Sequence, residues 1–464
     1  MKPQKILLFI ILIIMGLALI AALFPSKGIR FFDNTLRFPT LTEITTRSSD
    51  NEEDPEDILN QWKETVYTVK ENPFTTSIKN TNRKDTAIMV IKMEGVFEFP
   101  GEDKTYFDSF FAKAEAALTQ HKIVRVLYYG DSQIEMDRFS SKLRQFFQQK
   151  FGGGGPGMTP FNQTIPNGTI NQYCSGDYSC FSLWGDVQRN KEKDYGPLAK
   201  MYRINGTNTF TAYSPKKDEN QYSNISLLIN NLTGSFKAEL SDKTNQAKYT
   251  TQTDTTGIQW LHFPLNFATQ SFSVTMTGNA NIYGVLIDNG FGVAVDNIAM
   301  RGAAGLHFTS MNDSLLRETY KLLNVGMIVL QYGGNAVPAL AGEKNVNSYV
   351  ANIITQIRYL QRIAPNIPIL FIGPSDMLSI VDGELKTYTQ LPYLVERMSE
   401  EIPKSGAAFW NMYKIMGGAN SMRAWVKKGW AGNDYVHFTE KGAQKIAAVL
   451  TETFENMYDN YQTK

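Results

Sequence analysis

The chain has 464 residues, 42% of them hydrophobic and 20% charged, a globular composition that can bury a sizeable core. Its formal net charge of +1, with no concentrated basic stripe, excludes a field that recruits nucleic acid or anionic lipid. The length exceeds what one ordinary domain uses.

Lys2 and Lys5 precede Ile6–Phe24, which carries no charge and ends at Pro25, Ser26 and Lys27. This run matches the ~20 residues a helix needs to cross a bilayer core, so residues 1–24 are expected to be a membrane segment. An uncleaved anchor is the preferred reading. A cleaved signal is the alternative, although Ala18, Ala21 and Ala22 make a poor small-x-small site. The positive-inside rule favours a cytoplasmic N-terminus, while Lys27 and Arg30 oppose it. Residues 25–60, with the acidic run Asp50, Glu52, Glu53, Asp54, Glu56 and Asp57, predict a polar linker. Residues 61–121 predict a lead-in segment, with a strand near Ala87–Lys92, a helix near Tyr106–Gln120 and no evident chemistry.

Ile123–Tyr129 reads as a short β-rich run, followed at once by Gly130-Asp131-Ser132 and a helix over about 139–151. Strand, tight turn and helix form the setting that exposes a nucleophile at the carboxyl end of a parallel strand. Between residues 159 and 286 charges thin out and short alternating runs recur, among them Thr209–Tyr213, Ile225–Ile229 and Phe272–Met276, which predicts a β-sandwich. The α/β rhythm then returns. Strands are expected at Val293–Met300, Gly326–Gln331, Pro368–Ile372 and Ala407–Trp410. Helices are expected near 311–323, Tyr349–Ile363, 389–401 and Thr439–Tyr458. This alternation implies a parallel sheet covered on both faces, so the β-rich stretch interrupts an α/β domain. The two cysteines, Cys174 and Cys180, are expected to pair in an oxidising compartment, with two free thiols as the alternative.

Four polar signals sit just past strand ends: Gly130-Asp131-Ser132, Gly302, Gly333-Gly334-Asn335 and Asp434-x-x-His437. A serine hydroxyl is a weak nucleophile until a base takes its proton. Imidazole suits that task near neutral pH, and a carboxylate fixes its tautomer. Donors must then face the oxyanion of the tetrahedral intermediate. Each signal alone is an ordinary turn or cap. Their joint order at successive strand ends, with one of only four histidines among them, is hard to reach by accident.

These four blocks resemble the SGNH/GDSL hydrolase superfamily. The resemblance covers about 122–158 and 287–455. It implies a three-layer α/β/α, flavodoxin-like parallel sheet, here expected over 122–158 and 287–464, with residues 159–286 inserted as a β-sandwich resembling a carbohydrate-binding module. It assigns Ser132 as nucleophile, His437 as base and Asp434 as its partner. It places the oxyanion between the backbone N–H groups of Ser132 and Gly302 and the side-chain amide of Asn335. The family often has Asp after the block Asn, where this chain has Ala336, and Gly305 lies close enough to compete with Gly302. The run from Gly130 through Ile134 and Leu143-Arg144 to the glycine-rich turn is also similar to bacterial peptidoglycan O-acetylesterases.

The resemblance implies an esterase that removes O-acetyl groups from a cell-wall or exported glycan through an acyl-enzyme, with no metal or organic cofactor. The expected setting is a bacterial inner membrane, with the catalytic domain periplasmic or extracellular and the chain tethered through residues 6–24. One rival passes acetyl from the same triad to an exopolysaccharide or peptidoglycan hydroxyl, beside a membrane-bound acyltransferase. Another is an inactive, membrane-tethered glycan-binding protein. His121, His262 and His307 are read as solvent-facing or core histidines, and Trp184, Trp260 and Tyr222 as sandwich core rather than a sugar-stacking platform. Ser375 and Asp376 either line the cleft or serve a turn.

Overall fold

The computed structural model describes residues 29–31, 34–36, 56 and 97–464, apart from 166, 186–190, 216–220, 252–253 and 382. The apolar run Ile6–Phe24, most of the acidic linker and the expected strand at Ala87–Lys92 lie outside the described residues. Among those described, no helix is long and apolar enough to cross a membrane. The chain divides into two compact units, one of residues 1–53 with 380–385 and one of 54–379 with 386–464. In the first, β1 (Ile29–Phe31) pairs antiparallel with β2 (Asn34–Leu36).

The second unit holds two sheets. β3 (Phe97–Glu98), β4 (Ile123–Gly130), β12 (Gly292–Ala299), β13 (Val325–Gln331), β14 (Ile369–Ile372) and β17 (Ala408–Trp410) form a six-stranded sheet of order β12-β4-β13-β14-β17-β3. All neighbours are parallel except β3, which runs antiparallel to β17. Every residue of β4 is buried, as in a strand covered on both faces, Arg125 included. Helices α1 (Asp108–Thr119), α2 (Ser140–Phe151) and α8 (Glu440–Gln462) pack together on one face. They meet through rings such as Phe110 on Phe147 and Phe151 on Tyr458. α3 (Asp313–Leu322), α4 (Glu343–Ile363) and α5 (Leu391–Lys404) cover the other face, and the short α6 (Met412–Ile415) and α7 (Ser421–Lys427) lead into α8. The expected three layers are present. The segment before residue 122 adds the edge strand β3 and the helix α1, which sequence reading had left outside the sheet.

Between β4 and β12 the chain builds the second, antiparallel sheet. It comprises β5 (Gly157–Thr159), β6 (Asn171–Ser182), β7 (Lys200–Tyr213), β8 (Tyr222–Ser241), β9 (Gln246–Thr251), β10 (Gln259–Thr269) and β11 (Ser271–Asp288). Its path is β10-β8-β11-β7-β6, with β5 on β11 and β9 on β8. Register shifts between Thr277 and Gly284 interrupt the long β8–β11 pairing. Such bulges bend strands, and here they occur in a sandwich-like layer around a core of Phe161, Ile225, Phe236, Val274 and Ile282. Its other face is continuous with the α/β core, since Leu228, Tyr283 and Leu286 share one cluster with Leu127 and Tyr129 of β4.

The two cysteines are free and lie six residues apart on β6. The expected pairing is therefore corrected to two free thiols. Tyr222 is fully buried, while Trp184 and Trp260 pack partly buried against the shared core. The exposed aromatics of this sheet are Tyr173, Tyr213 and Phe267 instead.

Candidate active site

β4 is hydrogen-bonded on both sides, to β12 and β13, so its carboxyl end is a fixed platform. Past Gly130 the chain turns sharply. Asp131 Oδ1 accepts from the Gln133 N–H at 2.9 Å and caps the short 3-10 segment Ser132–Asp137. This is the local hydrogen bond for which Asp suits a turn or helix start. Ser132 opens the segment and is only partly buried.

His437 arrives on the loop between α7 and α8. Its Nε2 lies 2.8 Å from Ser132 Oγ, and its Nδ1 lies 2.7 Å from Asp434 Oδ2. With Nδ1–H donated to the carboxylate, Nε2 is the acceptor that faces the serine hydroxyl. Asp434 Oδ1 also accepts from the Val436 N–H at 3.0 Å and the His437 N–H at 3.1 Å. One carboxylate thus folds its own loop and orients the ring. Burial works against the charge on Asp434, but the bonds from the His437 ring and backbone and from Val436 outweigh it and hold the carboxyl below its ordinary range. Tyr435, between these partners, is left-handed at φ 56°, so the turn that delivers His437 stores backbone strain.

Asn335 sits beyond β13, where Gly333 turns the chain at φ 129° and a Cβ would meet the Pro374 ring at 2.9 Å. Its Nδ2 donates to Asp131 Oδ2 at 3.0 Å and to the Ala303 carbonyl at 3.2 Å. The Gly302-Ala303 turn therefore reaches the site through the Ala303 carbonyl. Gly302 itself is exposed at φ 76°, and Gly305 is buried against Tyr332 at φ 78°. Ser132, Gln133, Asn335, Ser375, Met377, Val436 and His437 are among the residues lining a cleft of about 420 Å³, partly open to solvent, whose wall includes neither glycine. Ser375 thus faces the cleft. Asp376 does not: it is buried, accepts from Thr387 Oγ1 at 2.7 Å and from the Met422 N–H at 3.0 Å, and anchors the first turn of α7.

Sequence reading missed two side chains that join the nucleophile turn to the histidine loop. Gln133 Nε2 donates to the Val436 carbonyl at 2.6 Å while its Oε1 accepts from the Phe438 N–H at 3.2 Å. Arg138 donates through Nη1 to the Phe438 carbonyl at 2.7 Å and through Nη2 to the Ser132 carbonyl at 2.6 Å. Neither spacing betrays such a role, because the histidine loop is met through backbone groups of Val436 and Phe438, about 300 residues away. His121 and His262 are exposed, and His307 is buried without a partner for either ring nitrogen, its pKa pushed down to about 3 by burial.

No family model and no curated protein matches this sequence. Solved structures do. A peptidoglycan O-acetylesterase aligns with a TM-score of 0.63 at 19% identity, over 78% of this chain and 98% of that one. A family two carbohydrate esterase from Cellvibrio japonicus aligns at 0.25 with 9% identity, over 63% of this chain and 98% of its own. A putative GDSL-like lipase from Bacteroides ovatus aligns at 0.27 with 8% identity, over 62% and 98%. The first likeness establishes the fold, in agreement with the SGNH resemblance of the four blocks. The other two are too distant in geometry to carry an argument.

Proposed function

We propose that the chain, which has the fold of a solved peptidoglycan O-acetylesterase, is itself a serine esterase that removes O-acetyl groups from a cell-wall or exported glycan. The observation that carries the reading is the unbroken relay Ser132 Oγ–His437 Nε2 and His437 Nδ1–Asp434 Oδ2, at 2.8 and 2.7 Å, on the wall of a solvent-open cleft. Ser132 Oγ attacks the acetyl carbonyl carbon as His437 takes its proton. The tetrahedral oxyanion is held by the Asn335 amide and by backbone N–H groups, assigned to Ser132 and Gly302 by the resemblance. Collapse breaks the bond to the sugar oxygen, which leaves with the proton from His437. Water then loses a proton to His437 as it attacks the acetyl-serine, and collapse releases acetate while His437 returns the proton to Ser132 Oγ.

The setting belongs to the same proposal. The uncharged run Ile6–Phe24 supports a tether that holds the catalytic fold outside the cytoplasm. With the cysteines unpaired, that run alone supports export.

The test is acetate release from p-nitrophenyl acetate and from an O-acetylated glycan by the full-length chain. Wild-type protein is expected to act on both, and Ser132→Ala and His437→Ala on neither, with thermal stability retained. Wild-type rates in Ser132→Ala would sink the assignment. Acetyl transfer to an added saccharide hydroxyl in preference to water would replace the hydrolase with the transferase.

A further inference from the structure

A second concavity flanks the nucleophile turn on the side of β12. It is partly open to solvent. One wall belongs to the catalytic sheet: Asn297, Ile298 and Ala299 of β12, with Glu135 and Met136 of the segment that begins at Ser132. Ala299 is paired with Gly130, one strand spacing away and two residues before the nucleophile. The opposite wall belongs to the inserted sheet and its lead-in, including Met158, Asn162, Gln163 and Lys200.

The lining has a definite chemistry. Pro160 and Met136 supply apolar surface, backed by the buried Met158 and Ile298. The Asn162 and Gln163 side-chain amides are partly exposed and have no hydrogen-bond partner among the described residues. The one carboxylate, Glu135, is occupied by the Arg301 guanidinium at 2.6 Å. With Glu135 paired and Lys200 on the opposite wall, the lining does not suit a cationic ligand. An amide side chain both donates and accepts, and an acetamido group offers a carbonyl, an N–H and a methyl in one plane. Two free amides beside an apolar floor match that set.

The rim of the groove is held in a costly conformation. Met136 and Asp137 are consecutive left-handed residues, at φ 59° and 62°, and neither is glycine. Asp137 keeps them there by accepting from Ser140 Oγ, Thr169 Oγ1 and Arg144, whose Nη2 lies 3.0 Å away. The Met136 carbonyl accepts from the Gly168 N–H at 3.3 Å. The Met136 side chain is left 49% exposed at the groove. Strain of this kind persists where surrounding structure over-determines it, often at ligand clamps.

We infer that this seam groove is a glycan subsite, which takes an N-acetylated pyranose of the substrate chain beside the unit whose ester enters the Ser132 cleft. The inference deepens the esterase reading and rests on it for the polymer's orientation. Asn162 and Gln163 grip the acetamido group, and its methyl and the sugar's apolar face lie on Pro160 and Met136. The catalytic sheet and the insert each supply one wall, so neither binds the chain alone.

The test is equilibrium binding of chitotetraose and cellotetraose, which share a β-1,4 backbone and differ in the acetamido group, to the full-length Ser132→Ala protein. Chitotetraose is expected to bind at least tenfold more tightly. Adding Asn162→Ala and Gln163→Ala is expected to weaken it at least tenfold and leave cellotetraose little changed. Equal binding of the two sugars, no binding of either, or chitotetraose binding untouched by the two substitutions would overturn the subsite. Ester hydrolysis by the protein with Ser132 intact is measured separately. Absence of hydrolysis with chitotetraose bound as expected would remove the esterase reading and leave the groove.

Discussion

Asp131 Oδ2 accepts from Asn335 Nδ2 at 3.0 Å, so the residue before the serine holds the amide assigned to the oxyanion. The same nitrogen donates to the Ala303 carbonyl at 3.2 Å, so both amide hydrogens have acceptors, and the one on this longer bond must be shared with the oxyanion when charge develops. The Asp131 bond holds the nitrogen in place, which limits the reorganisation that step needs. Asn335→Ala is expected to lower kcat by about 10²–10³, with KM less affected. A change confined to KM would make Asn335 a substrate-binding residue instead.

Asp131 itself should leave a signature in stability. Burial pushes its carboxyl from 3.8 up to about 6, against the Gln133 N–H, the His437 charge and the Asn335 amide, which favour the ionised form. The folded state therefore holds the proton more tightly than the unfolded chain. The stability this group contributes is present below about pH 4 and is lost as pH rises through about 6, a swing of about 3 kcal/mol. Asp131→Asn forfeits a hydrogen bond at every pH but cannot titrate. Its unfolding free energy, measured in urea from pH 4 to 7.5, should improve relative to wild type across that window. A difference that stays constant with pH would show that Asp131 does not titrate there.

Gln133 is expected to matter without touching substrate. Its two hydrogen bonds, at 2.6 and 3.2 Å, clamp the Val436–Phe438 backbone to the nucleophile turn. A misplacement near 1 Å can cost ~10² in rate. Gln133→Leu, which keeps the volume and deletes both bonds, should lower kcat about 10- to 100-fold with a smaller change in KM, and should slow labelling of Ser132 by a fluorophosphonate to a similar degree. Unchanged labelling would mean that other contacts, Arg138 among them, position the loop alone.

Much of this arrangement was legible in the sequence because it is local. Ile123–Tyr129 is apolar apart from Arg125, as suits a central parallel strand, and the turn after it carries its own cap in Asp131. Asp434 and His437 are three residues apart, so one turn makes their contact. What was missed is long-range. Gln133 and Arg138 act on backbone carbonyls and N–H groups, which leave no mark in the identity of their partners. The cysteine pair failed for the opposite reason: proximity in sequence suggested a pairing, whereas both residues are free thiols on one strand, β6. The insert's β character followed from alternation, but which aromatics face solvent depends on which sheet face meets the α/β core. That face is set by Leu228, Tyr283 and Leu286; Trp184, Trp260 and Tyr222 pack inward, as expected of sandwich core, while Tyr173 and Tyr213 are exposed.

The junction between the two sheets holds a buried charge cluster whose removal should be felt throughout. Arg125, in the middle of β4, is fully buried. Its Nη1 pairs with Asp296 of β12 at 2.9 Å, and its Nη2 pairs with Asp288 at the end of β11. Asp288 Oδ1 also accepts from Asn224 Nδ2 at 2.6 Å, and Asp296 Oδ1 accepts from the Met158 N–H at 2.6 Å. One guanidinium thus ties the strand that ends at Ser132 to the inserted sheet. Deleting one member of a buried ion cluster strands the remaining charges in a low dielectric, at a cost of about 3–5 kcal/mol. Arg125→Met should destabilise by that amount in urea unfolding. Arg125→Met combined with Asp288→Asn and Asp296→Asn should recover part of the loss, because no charge is then left unpaired. If the triple variant were no more stable than Arg125→Met, the loss would come from packing and hydrogen bonds rather than from the uncompensated carboxylates.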